Sequence, residues 1–262
     1  MFYNDATRMP SISLVSVVVP AYNEARSIGA TLDEMFAYFD TKPYGCEVIV
    51  VADGDDGTRD VVEERAAREP RLRIAGNRKR LGKGYGVRHG VRMARGDVIG
   101  FVDADNKTPI GEFDKFEPHL AGGVPVVIGS RGFRQSRIER PQRLYRRLGA
   151  KAFGLVMHAF IGLRDIPDTQ CGFKFFRRDA ALAIFDRQRI DGYMFDVEIL
   201  YLASQAGYPI SQVPVLWRDD RDSRLQLIRG NVRNAVDILR IRLGRPRSRS
   251  RPASVARSDA RV

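Results

Sequence analysis

Three β-branched, apolar runs, each closing on a polar turn, decide what this chain can fold into. Leu14 to Val19 leads to Pro20, Glu47 to Ala52 closes on Asp53-Gly54, and Val98 to Val102 breaks into Asp103-Ala104-Asp105-Asn106. Runs that lack polar alternation belong to strands buried on both faces, as in parallel sheets covered by helices. Between the first two, Ile28, Leu32, Met35, Phe36 and Phe39 recur at helical spacing, with Asn23 as the expected N-cap. Strand, helix, strand in that order predicts a right-handed parallel βαβ unit, with Pro20 ending the first strand in a forced turn.

The pattern continues with a helix over 58–69 and a short strand over 72–75. Arg80-Leu81-Gly82-Lys83-Gly84 then opens a helix that stops at Gly96. Glycines at a helix start let backbone N–H groups approach a phosphate, and Lys83 adds a point charge; a simple glycine turn is the competing reading. A strand over 124–129 delivers Ser130-Arg131, and 210–217 reads as a further strand. The turns after residues 19, 52 and 103 fall at the carboxyl edge of one sheet, where open α/β folds bind ligands. In an extended segment Asp103 and Asp105 point to one side and Ala104 into the fold. Two hard carboxylates suit Mg2+ or Mn2+ shared with substrate phosphates, against the alternative of a strand-end turn that selects Asp and Asn for local hydrogen bonds.

With 262 residues and 44% apolar content the chain can bury a substantial core, and its formal charge of +12 calls for phosphates, nucleic acid or anionic lipid. Arg131, Arg134, Arg137, Arg140, Arg143 and Arg146 recur at every third position, and Pro141 is placed to start a helix. Segments 131–164 and 225–244 read as basic amphipathic helices facing a membrane surface, the bland alternative being solvated helices packed on the domain. Residues 245–262, rich in Arg, Ser and Pro, read as a disordered tail, so the folded domain is expected over 1–244. The longest apolar run, 154–163, is interrupted by His158 and falls short of the roughly 20 residues a spanning helix needs. The first dozen residues carry no secretory pattern, and the expected location is cytoplasmic, peripheral on the inner face of the membrane. Cys46 and Cys171 are expected as reduced structural thiols. Asp196 and Glu198, two apart on a helix, do not share a face. His89, His119 and His158 read as packing histidines and Trp217 as core.

The ordered set Val17-Val18-Val19-Pro20-Ala21-Tyr22-Asn23-Glu24, Gly82-Lys83-Gly84, Asp103-Ala104-Asp105, Gly129-Ser130-Arg131, residues 168–176, Phe195-Asp196-Val197-Glu198 and Val213-Pro214-Val215 resembles family 2 glycosyltransferases of the GT-A fold. It spans about residues 14–243. The Asp-Thr-Gln-Cys-Gly-Phe-Lys stretch with Phe-Asp-Val-Glu is most similar to the dolichyl-phosphate or polyprenyl-phosphate glucosyltransferase branch; mannosyl relatives more often carry Ser-Gly-Phe-Arg. The resemblance implies a Rossmann-like, mostly parallel α/β sheet flanked by helices. It implies that Pro20, Tyr22 and Glu24 line the pocket for the donor's base and ribose, that Asp53 bonds the base, that Lys83 meets the diphosphate, and that Asp103 and Asp105 bring ribose and metal together. The family's Val-Asp-Asp-Gly-Ser-x-Asp is altered here, with Ala52 at the first Asp and Asp55-Asp56 after Gly54. Arg131, Arg146, Ser223 and Arg224 match positions that hold the acceptor phosphate in related enzymes.

The implied reaction moves a hexose, glucose from UDP-glucose, to a polyprenyl phosphate with inversion. A phosphate dianion needs no strong base; a sugar hydroxyl acceptor would, and Asp196 and then Asp168 are the candidates for it. The alternatives are transfer to a saccharide hydroxyl, a GDP-mannose-dependent mannosyl transfer, and, more remotely, a basic nucleic-acid-binding protein. The last lacks an RNA-binding motif or aromatic platform, so no nucleic-acid partner is expected.

Overall fold

The computed structural model describes residues 12–132, 161–163, 165–218 and 229–243. Seven strands form one sheet: β1 (Leu14–Tyr22), β2 (Gly45–Asp53), β3 (Leu72–Ala75), β4 (Val98–Val102), β5 (Val126–Ser130), β6 (Phe173–Arg177) and β7 (Ile210–Pro214). Their order is β3-β2-β1-β4-β6-β5-β7, and every ladder is parallel except those of β6, which runs antiparallel between β4 and β5. Fully described helices are α1 (Ile28–Phe39), α2 (Thr58–Ala66), α3 (Lys83–Met93), α4 (Glu117–Ala121), α5 (Arg178–Arg187), α6 (Phe195–Gln205) and α7 (Arg229–Leu243), with a 3-10 turn at Ile110–Lys115.

Alternation along each strand splits the core into two layers. Val17, Val19, Val48 and Val50 face α1 and the 3-10 turn, while Val18, Ile49 and Val51 face α3, α5 and α6. All five apolar positions of α1 named from periodicity are buried. Beneath the 3-10 turn, Phe113, Phe116, Phe173 and Phe175 pack edge-on or tilted with centroids 4.6 to 5.8 Å apart, contacts worth about 0.5–1.5 kcal/mol each beyond burial. Gly100 leaves room for this cluster, since a Cβ there would overlap the Phe175 ring.

Three local expectations fail. The first strand runs through Pro20 to Tyr22, pairing with β2 throughout. Its ladder with β4 stops at Val18, so Pro20 occupies a half-paired position where its missing N–H does no harm. Asn23 does not cap α1. It takes the left-handed conformation that Asn tolerates (φ 57°), and the helix begins only after Ser27. Strand β7 is also shorter than the run over 210–217, ending at Pro214.

The segments 133–160 and 219–228 and the tail 245–262 lie outside the described residues, and with them the proposed helix over 131–164 apart from 131–132 and 161–163. Of the second proposed helix, α7 is described. It buries Ile238 and Ile241 in the core and exposes Val236, Leu239 and Leu243. Among the described residues no helix is long and apolar enough to cross a membrane.

Candidate active site

The parallel strands β1, β2, β4 and β5 bring Tyr22, Asp53, Asp103 and Arg131 to a single sheet edge, and the reversal of β6 brings its amino end, residues 168–174, to the same edge. The first turns of α3 and α6 add Lys83 and Asp196.

Asp103-Ala104-Asp105 is a turn and not the end of an extended strand: β4 stops at Val102, and the Asn106 amide donates back to the Asp103 carbonyl at 3.2 Å. Asn106 supplies the positive φ (52°) that closes the turn. Ala104 does point into the fold, and its carbonyl accepts from Thr31 Oγ1 at 2.8 Å, tying the turn to α1. Both carboxylates are partly exposed and each carries an ammonium: Lys83 Nζ is 2.6 Å from Asp103 Oδ1, and Lys107 Nζ is 2.7 Å from Asp105 Oδ2. Gly172 lets the Asp103 carboxylate lie against β6, because a Cβ there would overlap it.

Lys83 also stands 3.9 Å from Asp196 Oδ2. Burial works against its charge, but Asp103 and Asp196 outweigh burial and hold the ammonium above the ordinary lysine range. The other oxygen of Asp196 meets Lys174 Nζ at 2.5 Å, and Lys174, wholly buried, also donates to the Cys171 carbonyl. Glu198 turns the other way, accepting from the Arg189 and Ile190 amides; burial pushes its carboxyl up. The glycines of the Gly82-Lys83-Gly84 loop serve close packing: Cβ atoms there would strike the Asp191 and Ile190 carbonyls. The Gly84 and Tyr85 amides donate to Asp191 O rather than opening toward a ligand.

On the far side, Asp168 grips Arg131 three times, from the amide at 2.8 Å, Nε at 2.7 Å and Nη2 at 2.9 Å. Burial pushes the Asp168 carboxyl up, but the guanidinium outweighs it and holds it below the usual carboxylate range. The guanidinium lies over the Trp217 ring, 5.3 Å from its centroid. Trp217 is therefore a half-buried platform beneath Arg131 and not a core residue.

On the β1 side, Pro20 packs beside α3 and Tyr22 is exposed with the Arg80 guanidinium 4.3 Å above its ring; Arg80 also donates to the Tyr193 hydroxyl at 3.1 Å. Glu24 accepts from Ser27 Oγ, and its amide donates to Thr58 Oγ1. Asp53 is buried and accepts from the Asn77 and Leu81 amides, shaping the loop ahead of Lys83. Asp56 accepts from the Thr58 amide and hydroxyl at the start of α2 and from the Ala25 amide; burial opposes its charge, but these bonds hold its carboxyl below its ordinary range. Arg146, Ser223, Arg224 and His158 lie outside the described residues. Lys107, Lys174, Arg80 and Tyr193 are the polar contacts that sequence reasoning missed. Lys174 left a signal, a lysine inside Phe173-Lys174-Phe175-Phe176, which a buried strand tolerates only with a counter-charge.

Among the described residues no group of three or more His, Cys, Asp and Glu is arranged to hold a metal. Asp103 and Asp105 nonetheless fit a hard divalent ion: both are oxygen donors on one turn, about a third open to solvent, and a metal would take over the compensation that Lys83 and Lys107 now give them. The remaining positions would fall to the ligand.

Residues 16–185 match the family described as Glycosyl transferase family 2. A dolichyl-phosphate beta-glucosyltransferase of Trichomonas vaginalis is 35% identical over 246 residues, covering 88% of this chain and 72% of its own length. That of Drosophila melanogaster is 37% identical over 233 residues, covering 82% and 70%. Among solved structures, glucosyl-3-phosphoglycerate synthase from Mycobacterium tuberculosis, in complex with Mn2+, UDP and glucosyl-3-phosphoglycerate, superposes with a TM-score of 0.67 at 22% identity, covering 90% of this chain and 82% of that one. The mostly parallel seven-stranded sheet is thus a GT-A fold, and the chain belongs to glycosyl transferase family 2.

Proposed function

We propose that the protein transfers glucose from UDP-glucose to a polyprenyl phosphate of the dolichyl type, with inversion. The relatives' activity supports the reaction, and one observation in this chain supports the acceptor. Asp168 and Asp196, the two carboxylates placed to act as bases, are both committed to ion pairs, and Arg131, the arginine that Asp168 braces, stands at the same sheet edge with its side chain still 28% exposed. A hydroxyl acceptor would leave a carboxylate base in demand; a phosphate acceptor is a dianion at neutral pH and needs only to be held.

In this reading Tyr22, Pro20 and Glu24 seat the base and ribose, Asp53 reaches the base, and Lys83 meets the diphosphate. Arg131, braced by Asp168 and Trp217, holds the acceptor phosphate with Arg146, Ser223 and Arg224. An acceptor oxygen attacks the anomeric carbon as the bond to the nucleoside diphosphate breaks, and Lys83 offsets the charge that gathers on the leaving oxygen. A divalent ion at Asp103 and Asp105 would supply further stabilisation of the leaving diphosphate. Asp196 and Asp168 position cations. The exposed Val236, Leu239 and Leu243 fall on one side of α7, flanked by the exposed Arg240 and Arg242, a face suited to an anionic lipid surface next to the site.

The test is sugar transfer from radiolabelled UDP-glucose, UDP-galactose, UDP-N-acetylglucosamine and GDP-mannose to polyprenyl phosphate with Mg2+ or Mn2+. Label from UDP-glucose is expected in the lipid phosphate. Label that enters an oligosaccharide and never the lipid phosphate overturns the reading.

A further inference from the structure

Lys174 is the least expected charge in the molecule. It is the second residue of β6, between Phe173 and Phe175, paired across the sheet with Phe101 and Ile128, and has no exposure. Its ammonium has two oxygen partners, the Cys171 carbonyl and Asp196 Oδ1, and lies 5.4 Å from the centre of the Phe101 ring. Asp196 is almost as deeply buried, its side chain 4% exposed, and its second oxygen lies within reach of Lys83. Lys83 therefore stands between two carboxylates of different character. Asp103, at 2.6 Å, is 38% exposed and keeps solvent contact, whereas Asp196, at 3.9 Å, does not.

Burial decides what happens if Lys174 loses its charge. An uncompensated carboxylate is costly inside a protein and tolerable at a wet surface. Asp196 would then claim the nearest remaining cation. Lys83 has a flexible four-carbon stem and need move only about 1 Å to close a hydrogen bond, the difference between 3.9 Å and an ordinary N···O contact. It would leave Asp103 to solvent and withdraw from the cleft.

We infer that Lys174 is a positioning residue: by neutralising Asp196 from within the sheet, it keeps Lys83 from being captured and leaves that ammonium available to a diphosphate. This rests on the reading of Lys83 as the donor-diphosphate group. It assigns Lys174 no contact with substrate.

The experiment is calorimetric titration of UDP into the full chain, wild type and three variants: Lys83→Met, Lys174→Gln, and the two combined. Gln keeps a hydrogen-bond donor for Asp196 without the charge. Near-UV circular dichroism checks that each variant is folded. Lys174→Gln is expected to weaken UDP binding at least tenfold in the wild-type background and less than threefold in the Lys83→Met background, because its effect passes through Lys83. Equal losses in both backgrounds, or no loss in a folded Lys174→Gln variant, overturn the inference. Should that variant not fold, Asp196→Glu carries the same test, since it keeps every charge paired but reaches one methylene further toward Lys83. It too must weaken UDP binding in the presence of Lys83 only, and an effect independent of Lys83 refutes the capture. A Lys83→Met variant that binds UDP as the wild type does would sink the donor-site reading itself.

Discussion

Replacing Asp168 by Asn removes one carboxylate oxygen from a three-point grip and turns an amide N–H toward a guanidinium N–H. Asp168 Oδ2 accepts both the backbone amide and Nε of Arg131, and Oδ1 accepts Nη2. If the Asn oxygen keeps the first two bonds, its nitrogen faces the third donor and neither is satisfied. Breaking a buried ion pair from one side costs about 3–5 kcal/mol. The Arg131 side chain is 28% exposed and rests on Trp217, which lets water and the indole take up part of the loss. A cost of about 2–3 kcal/mol follows, which for a domain of this size lowers Tm by about 4–12 °C. The pH dependence has a definite sign. The folded-state pKa of Asp168 is depressed, so its contribution is complete above the unfolded value of about 3.9 and disappears only as pH falls through the lower folded value. The gap between wild type and Asp168→Asn in urea unfolding should therefore be flat from pH 7 to about 4 and close below that. Transfer to polyprenyl phosphate should fall as well, through a raised acceptor KM. A variant as stable as wild type at pH 7 that has lost kcat alone would refute the clamp and restore Asp168 as a base.

Chelation should abolish transfer, and Asp105→Ala should lower kcat at least a hundredfold in the same radiolabel assay; a fully active Asp105→Ala variant refutes the metal site. Burial pushes the Cys171 thiol up to about 11 and also raises that of Cys46, so neither should react with a thiol reagent at pH 7.5 until the protein is unfolded, which a timed titration in and out of denaturant checks. Leu239→Glu changes an exposed residue of α7 and should leave Tm within about 2 °C while reducing flotation with vesicles containing anionic lipid. Unchanged flotation would mean that this face does not meet the membrane.

The strands and the crossover helices were legible because periodicity and burial agree: Val15 and Val17 to Val19 of β1, Val48 to Ala52 of β2, the apolar residues of β4 and the five named positions of α1 lie in the core. Motif order located the sheet edge, since parallel strands that end in polar turns must end together. What remained hidden depends on contacts between distant residues. Nothing local to Asp168 or Arg131 says that they bind each other across 37 positions. Nor does the sequence reveal that β6 is antiparallel, although this reversal brings Gly172 against Asp103 and Lys174 under Asp196. The glycines around Lys83 have a packing reason that no local pattern shows: a Cβ at either would strike the Asp191 or Ile190 carbonyl, and the Gly84 amide donates to Asp191 O.

The charge balance of the edge explains why ion and donor belong together in the proposed reaction. Lys83, Lys107, Lys174 and Arg131 stand against Asp103, Asp105, Asp196 and Asp168, so the paired groups sum to zero. A neutral array offers a diphosphate little net attraction, and a lysine that turns to the ligand leaves its carboxylate to solvent. Asp103 and Asp105 are the two whose solvent contact makes an exchange of cations cheapest. Asp103 and Asp105 would hold a divalent ion, whose charge would compensate both carboxylates while Lys83 and Lys107 meet the phosphates. The exposed Arg78, Lys79 and Arg80 at the cleft mouth add attraction at longer range. Asp196, with no solvent to fall back on, keeps Lys174, and that difference in burial separates the carboxylates that can exchange partners from the one that holds the rest in place.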